Sequence, residues 1–300
     1  MGCVTYSHFL RIMNHKQTIK RGLVMDKYQE ITDQIVSALE TGLTPWVKPW
    51  ATTGAPHNAV SGNVYQGINH ILLSFAPYSS NGWLTYKQAQ EVGGQVRKGE
   101  KGTQVILYKP LAIKDKTTGE DKTIPMLKTF TVFNTQQIDG LPEKFLPKVL
   151  EAGASFEDNE RAGVLMSQAR VIHGGGQACF IPSKDEIHLP AKTEFKSAAD
   201  YHATALHELT HWTGHKSRLD RTFGARFADN AYAFEELVAE LGAAFLCSDC
   251  GIDGKLQHDS YIASWIAVLK GDKRAIFTAS SAARKAADYA KKIIEVQLAA

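Results

Sequence analysis

At 300 residues, the chain exceeds the usual size of a single core, so two domains are expected. Its 44% hydrophobic and 22% charged content excludes a disordered chain, and no run approaches the ~20 apolar residues of a membrane span. A net charge of +3 is too slight to argue for nucleic-acid binding, so local patterning must carry any such case.

Four scattered cysteines make no disulfide framework, which points to a cytoplasmic protein, expected as a monomer with no membrane partner. Residues 1–24 carry four basic groups and no acid, and their apolar residues precede the basic ones. That order is the reverse of a secretory signal, so a flexible basic extension is expected.

Asp26 to Gly42 reads as a helix with Ile31, Ile35, Val36 and Leu39 on one face. The segment Pro45-Trp46-Val47-Lys48-Pro49-Trp50 cannot be helical. Asn69–Phe75 and Thr85–Val92 are expected as short helices, the second ended by Gly93-Gly94. Val105–Lys109 and Thr129–Phe133 are expected as strands joined by a polar turn over Lys114–Lys122. The first 140 residues therefore read as extension (1–24) and α+β domain (25–140). Residues 141–169 are expected to be a linker, and 170–300 a second domain. That domain opens with a strand at Arg170–His173 and a hairpin of Ala178–Ile181 and Glu186–Leu189. The rest is helical in pattern. Cys247-Ser-Asp-Cys250 is a lone pair closing an Ala- and Leu-rich helix and is expected to be core thiols.

The strongest chemical signal is His207-Glu208-Leu209-Thr210-His211. Ser197, with Asp200 three residues later, marks a helix start and Gly214 a stop. His207 and His211 then lie one turn apart on one face, a spacing that lets two imidazoles chelate one cation. Glu208 stands beside the first of them, placed to take a proton from a water. Ser217 occupies the place of a metzincin's third histidine, so the third ligand is sought on the next helix. There Glu236 and Glu240 share a face at i, i+4. Glu236 is expected as the ligand and Glu240 as a hydrogen-bond acceptor for a ligand imidazole, with the swapped roles open. Glu235 points elsewhere and is expected to be solvated or ion-paired. Zinc is the expected metal, with Mn2+ or Co2+ as alternatives. His173, His188, His202 and His215 are the candidates for stabilising an oxyanion.

His207–His215, Ser217-Arg-Leu-Asp-Arg221, Glu235–Phe245, Tyr261–Trp265 and Asp272–Phe277 resemble the antirestriction protein ArdC family of conjugative plasmids. Thr44–Trp50, Tyr65–Asn69, Trp83–Lys87 and Lys98–Gly102 are similar to the N-terminal region of plasmid TraC-type primases. The resemblance implies a two-domain α+β architecture. An N-terminal α+β domain that binds single-stranded DNA would precede a mainly helical, gluzincin-like zincin domain carrying a small β-hairpin or sheet. It also implies protection of incoming plasmid DNA from host restriction, with a protein of the restriction system as a candidate substrate.

Single-strand binders set aromatic faces for base stacking beside cations for the backbone. Trp46, Lys48 and Trp50 interleave the two types; Arg97, Lys98 and Lys101 form a basic turn; Tyr108 follows on a strand. The bland alternatives are core aromatics and a solvated loop. Competing functions are a protease of DNA-associated proteins, as in SprT-like enzymes, and a DNA-binding module with a purely structural metal.

Overall fold

The computed structural model describes residues 26–40, 55–74, 76, 78, 80–114, 121–146, 159–174, 176–223, 230–252 and 261–298, with 109–114, 121–126 and 293–298 through the backbone alone. Helix α1 (Lys27–Glu40) buries Ile31, Ile35, Val36 and Leu39, the face that the helical spacing predicts. After it come β1 (His57–Asn58), α2 (Ile68–Ser74), β2 (Gly82–Thr85), α3 (Tyr86–Glu91), β3 (Gln95–Val96), β4 (Thr103–Lys114), β5 (Asp121–Asn134) and β6 (Ile138–Asp139). Thr85 opens α3 through a capping box: its hydroxyl accepts the Gln88 N–H while the Gln88 side chain accepts the Thr85 N–H.

Four strands form a sheet in the order β1-β2-β5-β4, and β3 pairs with β6. The β4–β5 ribbon is more than twice as long as expected, in register from Thr103 opposite Val132 to Lys114 opposite Asp121. Pro110 and Pro125 face each other within it. β2 reaches β5 only at Val132–Asn134, so among the described residues the outer part of the ribbon pairs with no further strand, and proline is tolerated on such edges.

The C-terminal half comprises α4 (Glu160–Met166), β7 (Arg170–His173), β8 (Cys179–Ile181), β9 (Glu186–Leu189), α5 (Ala198–Thr213), α6 (Asn230–Cys250), α7 (Ile262–Gly271) and α8 (Ala275–Leu298). α4 falls inside the segment expected as linker, yet its Ala162, Leu165 and Met166 are buried in the core. The small sheet runs β7-β9-β8, with β8 antiparallel to β9 and at the edge. α5 packs against α6 with little room to spare: a Cβ on Gly242 would lie 2.4 Å from Thr210 Cγ2. Cys247 and Cys250 are buried, as expected of core thiols.

α1 shares a hydrophobic cluster with Trp265, Leu269 and Ile276 of the last two helices. The Thr32 hydroxyl donates to the Lys273 carbonyl at 2.9 Å, Asp26 pairs with Lys273 at 2.6 Å, and Glu40 pairs with Lys270 at 2.7 Å. Among the described residues, no helix is long and apolar enough to cross a membrane.

Candidate metal centre

α5 starts where the sequence signature puts it, with the Ser197 hydroxyl accepting the Asp200 N–H at 3.1 Å. Its last turns carry His207 and His211 inward, both buried, their ring centroids 4.9 Å apart. α6 crosses opposite and presents Glu236 to both. One Glu236 oxygen lies 3.5 Å from His207 Nε2 and the other 3.5 Å from His211 Nε2. Three such donor atoms all fall within 4.8 Å of one another. A cation bound tetrahedrally at ~2.0–2.1 Å needs donors roughly 3.4 Å apart, so this spacing suits one ion held between them.

The other nitrogen of each ring also faces a carboxylate. His207 Nδ1 is 3.6 Å from Glu240, and His211 Nδ1 is 3.2 Å from Glu235. Glu240 stands one turn beyond Glu236 on α6. Glu235 is ion-paired, one of the two expectations for it, but it is buried and turned toward the site. Arg221 grips it, Nε lying 3.0 Å and Nη2 2.8 Å from its two oxygens. Arg221 also donates to the Thr210 carbonyl at 2.6 Å and the Thr213 hydroxyl at 2.9 Å. Gly214 makes this crossing feasible. Its φ of −79° needs no glycine, but a Cβ there would stand 2.8 Å from Arg221 Nη2 and 2.9 Å from Phe223.

The electrostatics match a cation site. Burial alone would push the His207 imidazole down, yet Glu236 and Glu240 outweigh it and hold it up at about 10. His211 is likewise pushed down by burial, but Glu235 and Glu236 raise it to about 9. Burial raises the Glu236 carboxyl, and the two imidazoles more than reverse that, leaving it well below the usual carboxylate range. Four buried carboxylates (Glu208, Glu235, Glu236 and Glu240) around two imidazoles call for positive charge, which protons or a divalent ion can supply.

The centre opens into a cleft of about 320 Å³ lined by Glu208, Cys179, Phe180, Phe223, Tyr232 and Tyr261 among others. The Tyr232 and Tyr261 hydroxyls meet at 3.1 Å. Burial raises both phenols, with Tyr261 and Glu236 adding to the rise at Tyr232, so both keep their protons. Sequence reasoning missed this pair. Tyr232 had a signal, lying one turn before Glu236 on the same face; Tyr261 had only its place at the head of the family-like segment Tyr261–Trp265. The four candidate histidines are engaged elsewhere: His173 with the Tyr201 hydroxyl, His188 with Glu186, His202 with the Asn159 N–H and His215 with Ser217. None of them lines the cleft.

Arg218 fixes the cleft's β-wall. It stacks 3.8 Å from the Trp212 ring centre, donates from Nε to the Trp212 carbonyl at 2.6 Å, and pairs with Asp185 in the β8–β9 turn through Nη1 and Nη2.

The proposed DNA contacts are distributed as follows. Trp46, Lys48 and Trp50 lie outside the described residues. Arg97, Lys98 and Lys101 are exposed on the turn between β3 and β4, with Arg97 paired to Glu100 at 2.7 Å and Asp139 at 3.3 Å. Tyr108 is set apart, about 17 Å along β4 from Thr103. It is 46% exposed, and partial burial with the neighbouring Tyr28 phenol of α1 pushes it up to about 12.

Residues 25–133 match the family model for the N-terminal domain of anti-restriction factor ArdC, and residues 160–282 match the zincin-like metallopeptidase model. Two crystal structures of the antirestriction protein ArdC from plasmid R388 are similar. The metal-free one has a TM-score of 0.76 at 42% identity and the Mn(II)-bound one 0.72 at 41%; both cover 90% of this chain and 98% of theirs. DNA primase TraC of Escherichia coli is 38% identical over 286 residues, but this chain spans only 27% of that protein's length. Protein y4eC of Sinorhizobium fredii, itself uncharacterised, is 38% identical over 281 residues, covering 88% of this chain and 91% of y4eC.

Proposed function

The chain belongs to the ArdC antirestriction family, and from that premise we propose that it binds single-stranded DNA without sequence preference and protects incoming DNA by peptidase chemistry at its metal centre. The observation that carries the reading is the convergence of His207, His211 and Glu236 at cation spacing on an open cleft with Glu208 at its wall.

His207, His211 and Glu236 hold the ion, zinc by the donor set and Mn2+ by analogy with the Mn(II)-bound relative. Bound there, a divalent cation supplies Lewis-acid activation of a water and of the scissile carbonyl. Glu240 and Glu235 accept from the outer imidazole nitrogens and fix the tautomers that leave both Nε2 atoms facing the ion. Glu208 accepts the attacking water's proton and passes it to the leaving amine. The protonated hydroxyls of Tyr232 and Tyr261 donate to the oxyanion that forms on the substrate. β8 presents a sheet edge along the cleft, suited to pairing with an extended peptide.

The basic turn at Arg97, Lys98 and Lys101 contributes DNA-backbone contacts, and Trp46, Lys48 and Trp50 contribute stacking and charge. The test is DNA transfer into a restricting host with wild type, Glu208→Ala and His211→Ala. Loss of protection in both variants, with Glu208→Ala retaining its metal, supports peptidase-dependent antirestriction. Full protection by Glu208→Ala sinks the catalytic part and leaves the metal a structural role. Oligonucleotide binding that is weaker than millimolar, or indifferent to salt, sinks the DNA part.

A further inference from the structure

A second cavity, of about 460 Å³, lies in the N-terminal half between α1, the end of α2 and the start of β4. Its volume is in the range of small-ligand sites. Leu72 and Ala76 supply an apolar floor, and Tyr78, held edge-on to the buried Trp83, supplies an aromatic wall. Gln34 from α1 and Gln104 from β4 line it with carboxamides, each carrying both donors and an acceptor. Lys101 of the basic turn lines it too, and the charges felt by Tyr78 are those of Glu100 and Arg97, so the turn sits at its mouth. The one acid in the lining, Glu30, is neutralised by Lys27 at 2.6 Å, and the same amine reaches Gln104 at 3.5 Å.

We propose that this cavity takes one unstacked base of a DNA single strand, with Lys101 on the adjacent phosphate. The inference rests on the single-strand-binding reading above. The lining suits a base better than a peptide side chain or a free anion. An aromatic wall and apolar floor offer a planar ring its faces, which every base has. Two rotatable carboxamides can match any Watson–Crick edge, since each can turn its donating nitrogen or its accepting oxygen toward the base. Such a site grips bases without choosing among them. Lys101 stands where a backbone phosphate would pass, and the acid within is already compensated.

The test compares binding of the full chain to an oligothymidylate and to a strand of equal length made of abasic sites, by fluorescence anisotropy. Wild type is expected to prefer the base-bearing strand roughly tenfold or more, the scale of one stacked base. Gln34→Leu/Gln104→Leu, at exposed positions, and Ala76→Phe, which fills the cavity, should each cut that preference severalfold. Neither should change affinity for the abasic strand. If Ala76→Phe does not fold, the glutamine pair decides. Equal binding of the two strands by wild type, an undiminished preference in the variants, or an equal loss on both strands overturns the proposal. In each of those cases DNA binding itself stands; a wild type that binds neither strand removes the underlying reading as well.

Discussion

Glu235 shows how much of a metal centre hangs on residues outside its ligand set. It points at His211 because Arg221 holds it there, and Arg221 can reach because Gly214 leaves its path open. Arg221→Ala should weaken metal binding about 10- to 100-fold, through loss of the tautomer and orientation of His211. It should also lower stability by about 3–5 kcal/mol, because a buried carboxylate loses its cation. Competitive chelator titration and chemical denaturation measure the two effects, and a variant that binds metal as tightly as wild type refutes the relay. Gly214→Ala should weaken metal binding in the same direction by displacing Arg221 and Phe223. Much of this layer was illegible in the sequence. Periodicity put Glu236 and Glu240 on one face of α6, but Glu235 is turned inward by a guanidinium from a loop, which no helical period encodes. Tyr261 is 25 residues beyond Glu236 in the chain and reaches the cleft only through the packing of α7.

The motif helix, by contrast, was readable almost to the residue. Ser197 is a cap whose chemistry is local, and two histidines four apart need only helical geometry to share a face. The long β4–β5 ribbon was not readable, because its prolines are tolerated only on edges, and edges are a property of the finished sheet. Two predictions concern contacts between elements. Gly242→Ala drives a methyl into Thr210 and should cost about 1–3 kcal/mol by overpacking. Adding Thr210→Ala should recover most of that in a denaturation cycle; strictly additive losses would refute the close contact. The β8–β9 turn is held by Asp185 on Arg218, whose guanidinium keeps the carboxyl below its usual value. With the folded value depressed, this anchorage is fully present above the unfolded pKa of ~3.9 and is lost as pH falls through the folded value. Amide exchange of β8 in wild type should therefore be unchanged between pH 7 and 5 after correction for intrinsic rates, and faster below about 4. Asp185→Asn should exchange faster than wild type above about 4 and converge with it at lower pH, and identical profiles in the two proteins across the whole range refute the anchor.

At the scale of the molecule, the two halves matched by separate family models are not separate bodies in the fold. α1 opens the N-terminal match at residues 25–133, yet it buries Ile31, Ile35 and Leu39 against helices near the C-terminus. A fragment of residues 160–300 should melt below the full chain, because the partners of α1 on α7 and α8 would face water. A peptide of residues 26–40 added in trans should raise that melting temperature; a fragment as stable as the full chain refutes the shared core.

The bond from Thr32 to Lys273 closes a loop of 241 residues, and this bears on how the protein is made. On the ribosome, α1 emerges well before its docking surface, since Lys273 follows Thr32 by 241 residues. At ~5–20 residues per second it waits roughly 12–48 seconds with an apolar stripe uncovered. The shared core can therefore close only once Lys273 and its neighbours have been made, and that interval is where chaperone dependence and aggregation should be looked for when the gene is expressed.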